Sequence, residues 1–219
     1  MSSTGRRRDL VLLSGGLDST VALAKAVDEK TAACALTINY GQRHLREIEH
    51  AREIARHYET PHIQLDLPAW GALMQGHSQL TGGQEPGPSG TCTVVPNRNA
   101  VLVSLAVSVA ITRKCTHVVF AGHIDDATTY ADCRTDFIDA AAHLTQVATE
   151  GAVYLSAPFI AMPRRDLVIL GRTLGAPLWR SWSCYEGGHL HCGLCGACRS
   201  RRTAFSGAGV RDPTIYRAA

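Results

Sequence analysis

No stretch of this 219-residue sequence is long and apolar enough to cross a bilayer. The longest apolar run, 100–111 (AVLVSLAVSVAI), has twelve residues, two of them serines. A helical span needs about 20, so the run reads as a core helix, apolar nearly all round and therefore buried. An excess of one charge is also missing: the net charge is only +3, too little to argue for nucleic acid unless it is clustered. The three arginines at 6–8 are not followed by the apolar segment of a signal peptide. The expected compartment is therefore the reducing cytoplasm, where cysteines serve metals or catalysis more often than disulfides. With 45% hydrophobic and 19% charged residues, wholesale disorder is excluded.

What is present is a regular alternation. Apolar runs at 9–13, 32–38, 62–66, 117–121 and 153–156 read as strands. Helical patterns lie between and after them, at 18–29, 44–58, 98–113, 132–149 and 164–174, with Asp18 or Ser19 near the first N-cap. The Gly-, Pro- and Ser-rich segment 76–96 reads as a long loop. This pattern predicts an α/β fold of Rossmann-like type: a five-stranded parallel sheet with helices on both faces and a C-terminal metal-binding subregion. Residues 1–175 would form the nucleotide-binding domain, and residues 176–219 a smaller region packed on it. Ligands of such sheets bind beyond the carboxyl ends of the strands, where the strand order reverses. The turn at Ser14–Gly16 and the segment from Gly122 would lie there.

The first of these turns, SGGLDST at 14–20, lacks both the Walker and the GxGxxG patterns. Glycines still let a backbone turn tightly and bring N–H groups and a helix N-terminus to an anion. An ordinary strand-to-helix turn would look similar if only Ser-Gly-Gly were considered.

At the other end, 181-SWSCYEGGHLHCGLCGACRSRR-202 holds four of the eight cysteines. Cys184, Cys192, Cys195 and Cys198 are spaced C-x7-C-x2-C-x2-C, which suits four thiolates around a closed, structural Zn2+. An iron–sulfur cluster, a redox pair, or substitution of one thiolate by His189 or His191 are the rivals. Cys34, Cys92, Cys115 and Cys133 lack partners at ligand spacing and read as packing residues. Arg199, Arg201 and Arg202 beside the cluster give some colour to a zinc-ribbon nucleic-acid module, but the low net charge weighs against it, and no nucleic-acid or membrane partner is expected.

The complete string S-G-G-x-D-S after a first strand resembles the pyrophosphate loop of the N-type ATP pyrophosphatases. Five further segments narrow the resemblance to the 7-cyano-7-deazaguanine synthase family of the queuosine pathway: NYGQRHLREI at 39–48, VPNRNAVLVSLA at 95–106, YADCRTDFIDA at 130–140, APFIAMPRRDLVILGRTLG at 157–175, and the cysteine region itself. Together they cover residues 9–206. The resemblance implies that Leu13, Ser14, Gly15, Gly16, Asp18 and Ser19 hold ATP, and that Mg2+ accompanies it. It implies that Asp18, Ser19, Arg98 and Arg164 serve catalysis, and that Arg43, His44, Asp132 and Arg134 meet the substrate. It implies adenylation of 7-carboxy-7-deazaguanine, attack by ammonia to give an amide, and a second adenylation leading to the nitrile, in a homodimer. The chain departs from the family at Asn97, where glycine is common, at Arg164, where lysine is usual, and in 122–134, which is one residue short and lacks the usual Asn two positions after Gly122. A relative that stops at the amide, joins the acid to another amine, or feeds a deazapurine antibiotic or DNA-modification pathway stays open on these grounds.

Overall fold

The computed structural model describes residues 6–82 and 93–217. Five strands, β1 (Asp9–Leu12), β2 (Ala32–Asn39), β3 (His62–Asp66), β4 (His117–Val119) and β5 (Tyr154–Ser156), form one sheet in the order β3-β2-β1-β4-β5. Every pairing is parallel. The chain steps outward from β1 through β2 to β3, then returns to the other side of β1 as β4. The strand order therefore reverses between β1 and β4, which leaves a crevice beyond their carboxyl ends.

Helices cover both faces, because strands this short and apolar must be buried on both sides. On one face α1 (Leu17–Asp28), α2 (Arg46–His57), α6 (Arg164–Thr173) and α7 (Gly196–Gly207) enclose Val11, Leu17, Val21, Leu23, Ile54, Leu167 and Phe205. On the other, α4 (Arg98–Thr112) and α5 (Thr135–Ala148) cover Leu10, Leu36, Val103, Ala106, Val118 and Ile138. The described helices and the five strands account for the expected alternation. A short α3 (Pro68–Leu73) follows β3. There Gly71 is obligatory: a Cβ would lie 1.7 Å from the carbonyl oxygen of Tyr40.

Four expectations need correcting. The helix α4 is not buried all round: it packs through Val103, Ala106, Val107 and Ala110 but exposes Ser104, Ser108 and Ile111, since the two serines sit one turn apart on one stripe. The first helix has Gly16 as its N-cap, without a side-chain cap bond. Asp18 is committed elsewhere, and Ser19 donates back to Gly16 O at 3.1 Å. The strand β4 ends at Val119, short of the apolar run that suggested it. The helix α5 begins at Thr135, after a separate turn at Ala131–Cys133. Part of the loop expected at 76–96, and Cys92 with it, lies outside the described residues; a single 3-10 turn, Gln79–Thr81, occupies its first part.

Residues 176–217 build a small cluster of their own around Trp182, Cys184 and Cys198 and are also joined to the main core. Leu178, Ala204 and Phe205 belong to the same apolar cluster as α1 and α6. Arg201 is fully buried and donates to Asp212 Oδ1 (3.2 Å), Ser181 Oγ (2.7 Å) and Leu178 O (2.9 Å). Tyr216 Oη donates to Asp212 Oδ2 at 2.5 Å, and the Arg202 guanidinium lies 3.9 Å from the Tyr216 ring centroid. Of the three arginines, Arg201 is spent inside the fold and Arg202 lies over Tyr216, while Arg199 and Arg202 stay exposed.

Candidate functional site

A cleft of about 260 Å3 opens at the crevice between β1 and β4. One end is the glycine loop. Gly15 has φ +85°, and a Cβ there would lie 2.1 Å from Glu47 O, so only glycine lets the loop approach α2. Ser14 Oγ accepts from Gly16 N–H at 3.2 Å and lies 3.1 Å from Ser19 Oγ. The N-terminus of α1 follows directly, with free N–H groups suited to an anion.

Asp18, in the first turn of α1, is gripped by Arg164 at the start of α6. Nε donates to Oδ1 at 3.1 Å and Nη2 to Oδ2 at 2.9 Å. Burial alone would raise the Asp18 carboxyl, but Arg164 and His123 hold it below its usual range. Arg164 also donates to Ser200 Oγ at 2.8 Å. His123 is 1% exposed, with Nε2 3.2 Å from Asp126 Oδ2 and 3.7 Å from Asp18 Oδ2. Asp126 is shifted the other way, raised by burial, with His123 and Arg164 opposing.

The other end of the cleft is aromatic. Arg98 opens α4, donates to Tyr40 Oη at 3.4 Å, and has its guanidinium carbon 5.8 Å from the Tyr130 ring centroid. Among the described residues no carboxylate pairs with it. Tyr185 is half-buried beside it and lines the same cleft, and desolvation pushes its phenol well above the ordinary value. Leu80, Leu102 and Phe120 supply apolar walls. Asn97, just before Arg98, has φ 57°. Glycine is the natural occupant of that conformation and Asn the best-tolerated side chain, so the departure at this position preserves the backbone.

The expected substrate residues divide. His44 lines the cleft, its Nε2 3.1 Å from Glu47 Oε2. Arg43 does not; it points to Glu186 at 3.9 Å. Asp132 and Arg134 line a separate surface hollow with Asn97 and Phe137. Asp132 Oδ2 accepts the Asn99 N–H at 2.9 Å, fixing the start of α4, and Arg134 Nε donates to Ala127 O at 3.0 Å. Cys133, between them, does line the cleft, but burial pushes its thiol up to about 12, which suits packing better than nucleophilic attack. Sequence reasoning passed over Tyr40, His123, Asp126 and Tyr130, although Tyr40 and Tyr130 stand inside the quoted segments; whether the loop 185–191 also touches the substrate is a question the sequence raises and leaves open. Nothing local marks His123; only the return of β4 beside β1 brings it to Asp18.

The four cysteine sulfurs all lie within 4.8 Å of one another. Four sulfurs about 2.3 Å from one ion stand roughly 3.8 Å apart, so the set fits a single tetrahedral metal. Backbone N–H groups aim at the sulfurs: Cys192 N to Cys184 Sγ at 3.3 Å, Cys195 N to Cys192 Sγ at 3.2 Å, and Leu194 N to Cys192 Sγ at 3.4 Å. His191 stands outside this set of clustered ligand atoms among the described residues, and its Nε2 accepts the Ser183 N–H at 3.1 Å. Two contacts tie this centre to the cleft: Trp182 N–H donates to Gly15 O at 2.8 Å, and Tyr185 follows Cys184 directly.

Comparison with known proteins agrees with this arrangement. The family described as Queuosine biosynthesis protein QueC matches residues 8–209. A 7-cyano-7-deazaguanine synthase from Brucella anthropi is 38% identical over 216 residues, covering 95% of this chain and 93% of the relative. One from Allorhizobium ampelinum is 40% identical over 214 residues, covering 94% and 91%. The fold is shared with NMN synthetase from Francisella tularensis at TM-score 0.56 and 17% identity, over 94% of this chain and 78% of that one. It is shared too with the U34-tRNA thiolase NcsA from Methanococcus maripaludis with its 4Fe-4S cluster, at TM-score 0.53 and 15% identity, over 94% and 68%.

Proposed function

The chain belongs to the queuosine biosynthesis QueC family, whose curated relatives are 7-cyano-7-deazaguanine synthases, and from that premise we infer that it is an ATP-dependent ligase making 7-cyano-7-deazaguanine from 7-carboxy-7-deazaguanine and ammonia. A carboxylate is a poor electrophile, because its leaving group would be oxide. Attack of the carboxylate on the α-phosphorus of ATP gives an acyl adenylate and pyrophosphate; ammonia then displaces AMP, leaving the amide. Adenylation of the amide oxygen by a second ATP, and loss of AMP, leaves the nitrile. No side-chain nucleophile is needed, only positioning and neutralisation of charge.

The observation that carries this reading is the shared cleft: the glycine loop at one end and, at the other, a cation among phenols with no carboxylate partner among the described residues. Leu13, Ser14, Gly15, Gly16 and Ser19 would surround the triphosphate. Arg164, held by Asp18, would offset its charge, and Arg98 would sit at the other end of the cleft. Asp18 and Asp126, the two aspartates lining the cleft, are the residues that would hold Mg2+, which shields the pyrophosphate as it leaves. Zn2+ is the metal the four-sulfur set favours; it would be structural, closing four thiolates and leaving no open position. Among the substrate candidates His44 keeps its place, while Arg43, Asp132 and Arg134 would act only from outside the cleft. Residues 1–175 and 176–219 are read as an ATP-binding domain and a metal-binding region packed on it. Free ammonium as nitrogen source and a cytoplasmic location complete the reading; no helix among the described residues is long and apolar enough to cross a membrane. A homodimer is supported by Ile111 of α4 and by Leu144 and Val147 of α5, apolar and exposed.

Incubation with the acid, ammonium, Mg2+ and ATP, followed by mass spectrometry, tests the assignment. Nitrile is expected, with two AMP per product. An amide that goes no further would overturn the nitrile assignment in favour of an amide-forming ligase, and absence of both products from folded protein would remove the substrate.

A further inference from the structure

The glycine loop and the apolar cores account for most of the buried groups near the crevice. They do not account for three tyrosine hydroxyls, from different parts of the chain, gathered around one cation. Tyr40 follows β2, Tyr130 precedes the turn at Ala131, and Tyr185 lies in the cysteine region. Around Arg98 they make a pocket rich in donors: a guanidinium with no carboxylate partner among the described residues, and three phenol hydroxyls. Such a pocket suits a ligand that brings acceptors and negative charge. Its walls, Leu80, Leu102 and Phe120, suit a flat ring better than a polyphosphate.

Tyr185 differs from the other two in what holds it. Its main chain follows the metal-set residue Cys184 directly, and Cys184 in turn accepts the Cys192 N–H at 3.3 Å. Its ring packs against His44, centroids 5.6 Å apart, and lines the cleft together with Tyr130. One residue therefore adjoins a metal ligand with its main chain and lines the cleft with its side chain.

We propose that the Arg98–Tyr40–Tyr130–Tyr185 pocket receives the carboxylate-bearing ring of the acid substrate, and that Tyr185 is a specificity-determining residue positioned by the cysteine-bound metal. The proposal rests on the functional reading above and assigns the end of the cleft away from the glycine loop. It makes the metal centre an organiser of the substrate subsite as well as a closure of the C-terminal region.

The test uses the full-length, metal-loaded protein with Tyr185→Leu and Tyr185→Phe. In equilibrium binding and in steady-state kinetics, Tyr185→Leu is expected to weaken the acid about tenfold or more. Affinity for ATP, metal content and thermal stability should stay at wild-type values, and Tyr185→Phe should fall between. Cobalt(II) in place of the native metal adds a readout independent of turnover: the acid should perturb the thiolate–cobalt absorption of the wild type but not of Tyr185→Leu. Unchanged acid affinity in Tyr185→Leu, or equal losses for acid and ATP, would overturn the proposal while leaving the ligase reading intact. Wild-type protein that neither binds nor converts the acid would bring down both. Altered acid affinity with cobalt spectra blind to the acid would remove the metal from the proposal and leave Tyr185 as a direct contact only.

Discussion

Asp18 and Arg164 form the tightest charged pair of the cleft, and each sets the other's state. Arg164 keeps the Asp18 carboxyl ionised against burial. Replacing Asp18 by Asn keeps the shape but removes the charge that orients Arg164; pyrophosphate and AMP release should fall about 100-fold, with the fold retained at a lowered melting temperature. Arg164→Ala should lower the same rate comparably. It should also move the acid limb of the pH–rate profile to higher pH, because a carboxyl held down by a cation rises when the cation goes. An acid limb that stays in place would show that Asp18 does not control it. Arg164→Lys keeps a charge but loses the two-pronged grip, so it should retain more activity than Arg164→Ala. Gly15 carries a different burden. Its positive φ and the 2.1 Å approach of Glu47 O leave no room for a methyl group, so Gly15→Ala should destabilise the fold by about 2 kcal/mol or more, measured by denaturant unfolding.

At the level of elements, the sheet and its flanking helices were legible because their signals are local: short apolar strands, an N-terminal turn with two glycines, amphipathic periodicity in α2. Two helices were not. Pro68 and Gly71 make α3 look like loop, and its glycine is there for close packing against Tyr40, not for a turn. The helix α7 was read only as part of a metal region, since CRSRR offers no apolar stripe. Its buried face is instead built on Arg201, a residue type almost never fully buried unless paired, and the partner, Asp212, lies beyond the helix. This pairing gives a prediction for the segment after α7. Asp212→Ala would leave a buried guanidinium without its counter-charge and should cost about 3 kcal/mol or more. Burial opposes ionisation of Asp212, yet bonds from Tyr216 and Thr214 and the Arg201 charge hold its carboxyl below the usual range. A lowered folded-state value means the stabilisation is fully present above the unfolded carboxyl pKa of about 3.9 and is lost as pH falls through the lower folded value. Thermal unfolding measured against pH should show this acid loss in the wild type and less of it in Asp212→Asn.

Over the whole molecule, the candidate site was half legible. The glycine loop and the cysteine spacing announce themselves because each is contiguous and chemically stereotyped. His123, Asp126 and the tyrosines do not, because they meet only after β4 returns beside β1 and the cysteine region folds back over both. The same reason explains why Asp132 and Arg134, near the cleft in sequence, turn away from it: the turn at Ala131–Cys133 spends Asp132 on the start of α4. The metal reading is checked on the whole protein by elemental analysis and unfolding. One zinc per chain is expected, and Cys195→Ser or chelation should lower the melting temperature and loosen residues 176–217 in hydrogen exchange, because metal binding is coupled to folding. The bond from Trp182 N–H to Gly15 O also bears on how the protein is made. During synthesis the glycine loop leaves the ribosome long before the residue that completes it. The loop is therefore finished only when the chain beyond residue 182 has emerged and bound its metal, and a nascent chain stalled before that point should not consume ATP.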